Sequence, residues 1–267
     1  MNLISRFKAH LRPNFFLAYP VMLSMLGQVM TGVADSVMVG WTGAIPLAAS
    51  SFANIFFSVP LFFGVGVSYA ITPLVAEAEG TGVQPKIIAI LKNGTLINVI
   101  VGLLLVVLIF SVEPLMIYMG QPKEVVELGV PYLSIIAISI IPTMIFQTYR
   151  QFAEGLERTR MAMIIVIGSN LINIILNYVL IFGKYGFPEM GLNGAGWATL
   201  IARCVMALSM MLYVYYGKRF TAFREGFSIG HYSQSLVSKM LHIGLPAGSQ
   251  FIFEAGAFGL SAIMMGW

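Results

Sequence analysis

Three charged side chains interrupt long stretches of otherwise uncharged sequence: Asp35, Arg203 and Glu254. A charge inside a membrane segment costs from about 3 kcal/mol upward, and such residues commonly mark ion pathways, proton relays or buried pairs. The two carboxylates therefore predict binding of a cation or a proton. Plainer interpretations remain: Asp35 could be wetted from the outer side of the membrane, and Glu254 could pair with Arg203.

Amide side chains form a stripe near the middle of the chain. Asn170, Asn173 and Asn177 follow the spacing i, i+3, i+7, which places them on one face of a helix. Together with Asp35 they offer the oxygen ligands that a hard cation such as Na⁺ favours. They suit hydrogen bonds between membrane helices equally well, so the spacing leaves both interpretations open. Thr199 could add a hydroxyl, although a lone threonine often bonds to its own helix.

Other polar residues of the apolar stretches are candidates for the lining of a substrate cavity. One cysteine and three scattered histidines give no ligand spacing, so no multi-cysteine metal site, cofactor or catalytic centre is expected. The cavity candidates are Gln28, Asn54, Gln147, Asn170 and Gln250.

The composition tells what kind of protein must position these side chains. Of the 267 residues, 58% are hydrophobic and only 10% are charged, against about 25% charged in ordinary soluble domains. A soluble fold this apolar would expose large greasy patches and aggregate. The composition therefore excludes a soluble enzyme, a nucleic-acid binder and a disordered protein, and it predicts an all-α polytopic membrane protein.

Uncharged stretches locate the membrane spans, because a helix needs about 20 apolar residues to cross a bilayer. Seven spans are predicted, near residues 15–40, 46–76, 91–112, 129–150, 161–183, 194–217 and 242–267. Twelve of the fifteen Lys and Arg residues, Arg150 at the end of the fourth span among them, fall on one side of this topology, which predicts a cytoplasmic N-terminus.

The first and last spans are similar to each other. Pro20 and Pro246 each stand 21 residues before the tryptophan of a Gly-Trp pair, Gly40-Trp41 and Gly266-Trp267, so one ungapped offset of 226 aligns them. Internal repeats are common in transporters, where two helix bundles rock around a site at their interface. We therefore expect residues 1–217 to form a six-helix lobe, 218–241 a cytoplasmic linker, and 242–267 the first helix of a second lobe. The whole protein would have roughly 450 residues, twice the offset.

Several segments, taken in order, resemble the multidrug and toxic compound extrusion (MATE) family, in particular its NorM-like bacterial branch. They are Asp35-Ser36-Val37-Met38-Val39-Gly40, Gln147-Thr148-Tyr149-Arg150, Asn173 and Asn177 running into Tyr178-Val179-Leu180-Ile181-Phe182-Gly183-Lys184, and Gly244-Leu245-Pro246 with Glu254 eight residues later. The resemblance covers essentially the whole chain.

The resemblance implies a twelve-helix, cation-coupled efflux transporter in the bacterial inner membrane, of which this chain holds the N-terminal lobe and the opening helix of the C-terminal lobe. It also implies that Asp35 binds a cation or proton, supported by Asn173, Asn177 and Thr199. With Na⁺ as the coupling ion, Asp35, Asn173 and Asn177 would be its ligands. Glu254 would serve cation coupling in the second lobe, whose other residues this chain lacks.

The expected function is antiport: H⁺ or Na⁺ enters while drugs or other organic, cationic compounds leave by alternating access. The expected partners are small organic substrates, the lipid bilayer and the missing C-terminal lobe, with no nucleic acid. A flippase for lipid-linked precursors is the alternative, although a phosphate-holding cavity would need more intramembrane cations than Arg203 alone. An integral-membrane transferase would need clustered aspartates or a His–acid pair, which the sequence does not offer.

Overall fold

The computed structural model describes residues 3–228, 230 and 232–265, without the side chains of 3–14, 17 and 255–265. This part of the chain is built from helices joined by short turns. Ten are α-helices: α1 (Leu3–Gly40), α2 (Ala44–Ser68), α3 (Ile71–Gly80), α4 (Gln84–Val112), α5 (Leu115–Tyr118), α6 (Lys123–Ile138), α7 (Ile140–Gly155), α8 (Arg160–Ile181), α9 (Gly191–Tyr216) and α10 (Gln234–Met265). A 3₁₀ helix, Lys218–Phe227, lies between α9 and α10.

Six segments of the described residues are long and apolar enough to cross a membrane: Ala18–Gly40, Ala44–Gly80, Gln84–Tyr118, Lys123–Gly155, Arg160–Ile181 and Gly191–Tyr216. The predicted all-α, multi-span fold class is thereby confirmed. Helix α10 covers the seventh predicted span as far as Met265. Gly266 and Trp267, which carry the repeat of Gly40-Trp41, lie outside the described residues.

Two of the predicted spans each consist of two helices. The second span breaks at Tyr69 and Ala70, between α2 and α3, and the fourth breaks at Ser139, between α6 and α7. Each break lies shortly before a proline, Pro73 in one case and Pro142 in the other. Proline has no N–H to donate to the carbonyl four residues earlier, and both breaks close with tighter bonds to the third residue back, such as Ser139 N–H to Ile136 O at 3.0 Å.

The segment after α9 is a packed element. The sequence predicts a linker over 218–241, but α10 begins at Gln234, and the 3₁₀ helix holds Phe220 and Phe223 in the core. Side chains three residues apart lie on one face of a 3₁₀ helix. Both rings therefore reach Phe152 of α7, with centroid separations of 6.2 and 5.8 Å.

The helices that matter most for the site are α1, α8 and α9. Helix α8 packs against both α1 and α9. It crosses α1 closely at Gly27, where a Cβ would lie 3.0 Å from Val166 Cγ1 and 3.2 Å from Asn170 Nδ2. Small residues allow this kind of approach between membrane helices, and it brings the polar face of α8 onto α1.

Helix α9 approaches the end of α8 even more closely, at Gly194. A Cβ on this residue would lie 2.6 Å from the backbone oxygen of Leu180, and backbone cannot move aside as a side chain can. We expect Gly194→Ala to destabilise the fold by about 1–3 kcal/mol, the usual cost of overpacking. Thermal unfolding in detergent measures this change.

Gly168→Ala is the matched control, because Gly168 lies in α8 and a Cβ added there would meet no atom within 4 Å. This substitution should leave the melting temperature unchanged or raise it slightly, since alanine favours helix more than glycine does. Equal melting temperatures for the two variants would contradict the close contact between α8 and α9.

Candidate functional site

A carboxylate from one helix and polar groups from two others meet at Asp35. Asn177 Nδ2 of α8 donates a hydrogen bond to Asp35 Oδ1 at 2.6 Å, and Thr199 Oγ1 of α9 donates to Asp35 Oδ2 at 3.0 Å. Asn173 Nδ2 approaches Thr199 Oγ1 at 3.4 Å. The four residues singled out in α1, α8 and α9 therefore form one connected group.

Helix periodicity accounts for this arrangement. Asn173 and Asn177 are four residues apart, so they stack on one face of α8, and Asn177 Nδ2 also lies 3.3 Å from Asn173 Oδ1. Both asparagines and Thr199 are buried, while Asp35 is half-buried. The carboxylate thus keeps partial access to its surroundings while its two partners are shielded from them.

The group has oxygen atoms to spare. Asp35 receives a donor on each carboxylate oxygen, whereas the buried Asn177 Oδ1 has no hydrogen-bond partner among the described residues. A buried acceptor without a partner costs free energy. Binding of a hard cation, or of a group that donates a hydrogen bond, would give the Asn177 oxygen a partner. Oxygens from Asp35, Asn173 and Asn177 fit the ligand chemistry of such a cation.

Two neighbours of Asp35 were not assigned to the site from the sequence. The buried Tyr132 of α6 and the half-buried Arg203 of α9 both lie within electrostatic range of the Asp35 carboxylate. Arg203 follows Thr199 by one helical turn, which was the available signal. Tyr132 had none, because a tyrosine in an apolar segment is ordinary.

Arg203 is held by neutral groups. Its Nη1 donates to Ser139 Oγ at 2.6 Å, and its guanidinium lies over the ring of Phe57, 4.9 Å from the centroid. In the described part of the chain it forms no ion pair with Asp35 or with Glu254. The described residues therefore show no contact through which Arg203 would neutralise Glu254.

Glu254 lies apart from the Asp35 group. It is exposed on α10 and accepts a hydrogen bond from Gln250 Nε2, one turn earlier, at 2.8 Å. Helix α10 packs closely against α2 where Gly66 of α2 meets Gly248 of α10, since a Cβ on Gly66 would lie 2.5 Å from Gly248 Cα. Both Glu254 and Gln250 thus belong to the helix that follows the six-span lobe.

The remaining cavity candidates have different surroundings. Asn170 lies between α8 and α1, where its Nδ2 donates to Gly27 O at 2.6 Å and its Oδ1 accepts from Thr31. Asn54 is exposed on α2 within hydrogen-bonding reach of Tyr132. Gln28 is half-buried on α1, and Gln147 is buried on α7.

A second polar cluster, on α7, was not predicted. Arg150 is 1% exposed and pairs with Glu154, with 2.7 Å between Nε and Oε1. The sequence placed Arg150 at the end of a span as a topology-setting charge, yet its side chain is enclosed. Its Nη2 and the neighbouring Gln151 Nε2 lack partners among the described residues.

The fold and this site define a class of protein: a multi-span helical membrane protein whose first six spans enclose a polar group centred on one carboxylate. Residues 20–179 match the family model MatE. The chain belongs to this family, the multidrug and toxic compound extrusion family.

Two curated relatives show the same kinship. The chain is 33% identical over 261 residues to "Multidrug resistance protein NorM" of Photobacterium profundum, covering 97% of this chain and 57% of the relative. It is 32% identical over 259 residues to "Probable multidrug resistance protein NorM" of a Synechocystis species, covering 97% and 56%. The chain thus spans little more than half the length of these relatives.

Solved structures share the fold. A multidrug resistance MATE family transporter of the MOP superfamily in its outward-facing conformation superposes with a TM-score of 0.83 at 20% identity, covering 92% of this chain and 54% of that one. An inward-facing conformation gives a TM-score of 0.75 at 18% identity, covering 88% and 54%. Both confirm the six-span lobe as a MATE-type fold.

Proposed function

We propose that this chain forms the cation-binding half of a secondary transporter that exports organic compounds in exchange for an inward flow of H⁺ or Na⁺. The observation that carries the proposal is the half-buried Asp35 carboxylate, bonded by Asn177 and Thr199 and flanked by an unpaired amide oxygen. Relatives named for multidrug resistance support drugs as substrates, and we propose that these are organic, cationic molecules.

The chemistry of the site suggests how coupling would work. A cation that binds next to Asp35 would neutralise the carboxylate charge and gain the unpaired Asn177 oxygen as a ligand. The contacts that join α1, α8 and α9 would then change together. Exchange requires that cation and substrate both bias the same two-state equilibrium. Two helices, α8 and α9, bonded to a carboxylate on a third, α1, supply an element on which a cation would act.

Glu254 is proposed as a second coupling carboxylate. It stands on α10 with Gln250 as its hydrogen-bond donor at 2.8 Å, so further ligands would have to come from helices beyond this chain. The length of the relatives supports this, since the match covers 57% of the first of them. The transport activity proposed here is that of the whole protein, with both lobes in the bacterial inner membrane and the N-terminus in the cytoplasm.

Transport driven by an imposed gradient tests the proposal and identifies the coupling ion. The intact transporter is reconstituted into vesicles with a fluorescent organic cation at equal concentration inside and outside, and either a Na⁺ gradient or a pH gradient is imposed at zero membrane potential. We expect dye movement against its own gradient in one of these two conditions. Dye movement equal to that of protein-free vesicles under both gradients would contradict the proposed function.

A further inference from the structure

A basic cavity lies at one end of the bundle, away from the Asp35 group. It has a volume of about 530 Å³, within the range of ligand pockets, roughly 300–1,000 Å³. Three arginines line it: Arg158 from the turn between α7 and α8, Arg160 from the start of α8, and Arg219 from the 3₁₀ helix. Tyr213 and Phe16 supply aromatic walls.

Acidic side chains among the described residues do not balance the positive charges in this cavity. Glu157 is the one acidic residue of its lining. In the described residues, none of the three arginines takes part in an ion pair. Arg160 lies 5.9 Å from the centroid of the Phe16 ring, a contact that holds the side chain and leaves its charge in place. A strong positive potential therefore remains for an outside anion.

The backbone adds to this potential. Arg160 is the first residue of α8, a helix of 22 residues whose preceding residue, Thr159, makes no side-chain cap. The first N–H groups of a helix have no partner within it and attract anions. Free N–H groups and three guanidiniums thus converge on one cavity, the combination that recognises phosphate groups.

The cavity lies at the level where the membrane-spanning segments begin and end. Those segments stop at Gly155 and Tyr216 and start at Arg160 and Ala18, next to the lining residues in sequence. Exposed apolar side chains continue from the cavity along α1 and α8, among them Tyr19, Met22 and Ile164. A lipid with a phosphate headgroup and acyl chains matches this surface, because the headgroup would lie in the charged cavity and the acyl chains on the apolar face beside it.

We propose that this cavity binds the headgroup of an anionic phospholipid from the surrounding membrane. The arginines and the start of α8 hold the phosphate, and the acyl chains lie along the exposed face between α1 and α8. The site is separate from transport coupling, because its lining includes neither Asp35 nor the residues bonded to it.

Native mass spectrometry of the intact protein in neutral detergent tests this site, with phosphatidylglycerol as the probe. Wild type should bind it more tightly than phosphatidylcholine with the same acyl chains. The double variant Arg158→Gln and Arg219→Gln should bind phosphatidylglycerol roughly thirtyfold more weakly, from the usual effect of two basic residues near an anionic lipid surface.

Lys218→Gln with Arg224→Gln is the matched control, because it removes two charges from the same 3₁₀ helix outside the cavity lining. Its affinity should stay within about threefold of wild type, since screening weakens distant charges. The charge-preserving variant Arg158→Lys with Arg219→Lys should retain the lipid preference, which separates loss of charge from misfolding.

Three results would overturn the proposal. The first is an equal loss of affinity in the control variant, and the second is equal binding of phosphatidylcholine by wild type. The third is displacement of phosphatidylglycerol by millimolar inorganic phosphate, which would make the ligand a free phosphate instead of a membrane lipid.

Discussion

Replacing Asp35 with asparagine should abolish drug resistance conferred by the intact transporter in efflux-deficient cells. Asparagine can neither carry the charge that a cation neutralises nor take up a proton near neutral pH. It also disturbs the hydrogen bonds, because Asn177 Nδ2 and Thr199 Oγ1 both donate to this side chain and an amide offers only one acceptor oxygen. Minimal inhibitory concentrations of several organic cations measure the loss.

Loss of resistance in this variant would reflect loss of coupling and not loss of the protein. Among the described residues Asp35 forms no ion pair with Arg203, and Arg203 keeps its contacts with Ser139 and Phe57 when the carboxylate is replaced. Normal amounts of protein in the membrane are therefore expected. Full resistance at normal expression would contradict the role of Asp35.

Ser36→Ala is the matched control for Asp35→Asn. Ser36 is the next residue on α1, but it is exposed and its hydroxyl donates to Gly32 O of its own helix at 2.9 Å. Its removal should leave resistance at the wild-type level. Equal losses from the two substitutions would point to a general sensitivity of this part of α1.

Helix periodicity and the cost of polar groups in lipid singled out Asp35, Asn173 and Asn177 from the sequence, and the resemblance to the MATE family implied that they act together with Thr199. Asn173 and Asn177 share a face at any helix orientation, and a lone aspartate in an apolar segment calls for polar partners. What the sequence could not supply was which helices meet. The contact between α8 and α1 depends on the close approach at Gly27, and Asn170 forms part of that contact, while Asn177 reaches Asp35.

The helix breaks near prolines and the burial of Arg150 were harder to predict from the sequence. The breaks before Pro73 and Pro142 follow from missing N–H donors, but a proline in an apolar stretch can equally sit inside an unbroken helix, as Pro60 does in α2. Arg150 was counted with the charges that set topology, because the sequence does not show that α7 turns this side chain into the protein beside Glu154.

The buried pair of Arg150 and Glu154 leads to the second large prediction: Glu154→Gln should strongly destabilise the lobe. Arg150 is 1% exposed and already has one nitrogen without a partner among the described residues. Neutralising its acidic partner would leave a buried charge without compensation, which costs about 3–5 kcal/mol. For a chain of this size the melting temperature should fall by roughly 6–10 °C, as measured by thermal unfolding in detergent.

Another pair with the same sequence spacing provides the control. Lys123 and Glu127 are also four residues apart, 3.5 Å from each other, but their side chains are 90% and 63% exposed. An exposed pair of this kind contributes only about 0.3–0.5 kcal/mol, so Glu127→Gln should shift the melting temperature by less than about 1 °C. Similar shifts for the two variants would contradict the burial of Arg150.

A double variant separates the charge effect from the loss of packing. Replacing both partners with apolar residues of similar size, Arg150→Met with Glu154→Leu, removes the buried charge together with its counterion, and such replacements are often neutral or stabilising. We therefore expect the double variant to melt above Glu154→Gln although it carries more substitutions. This order of stabilities follows only if Glu154 stabilises the lobe by compensating Arg150, whereas a role for Glu154 in packing alone would make the double variant the less stable of the two.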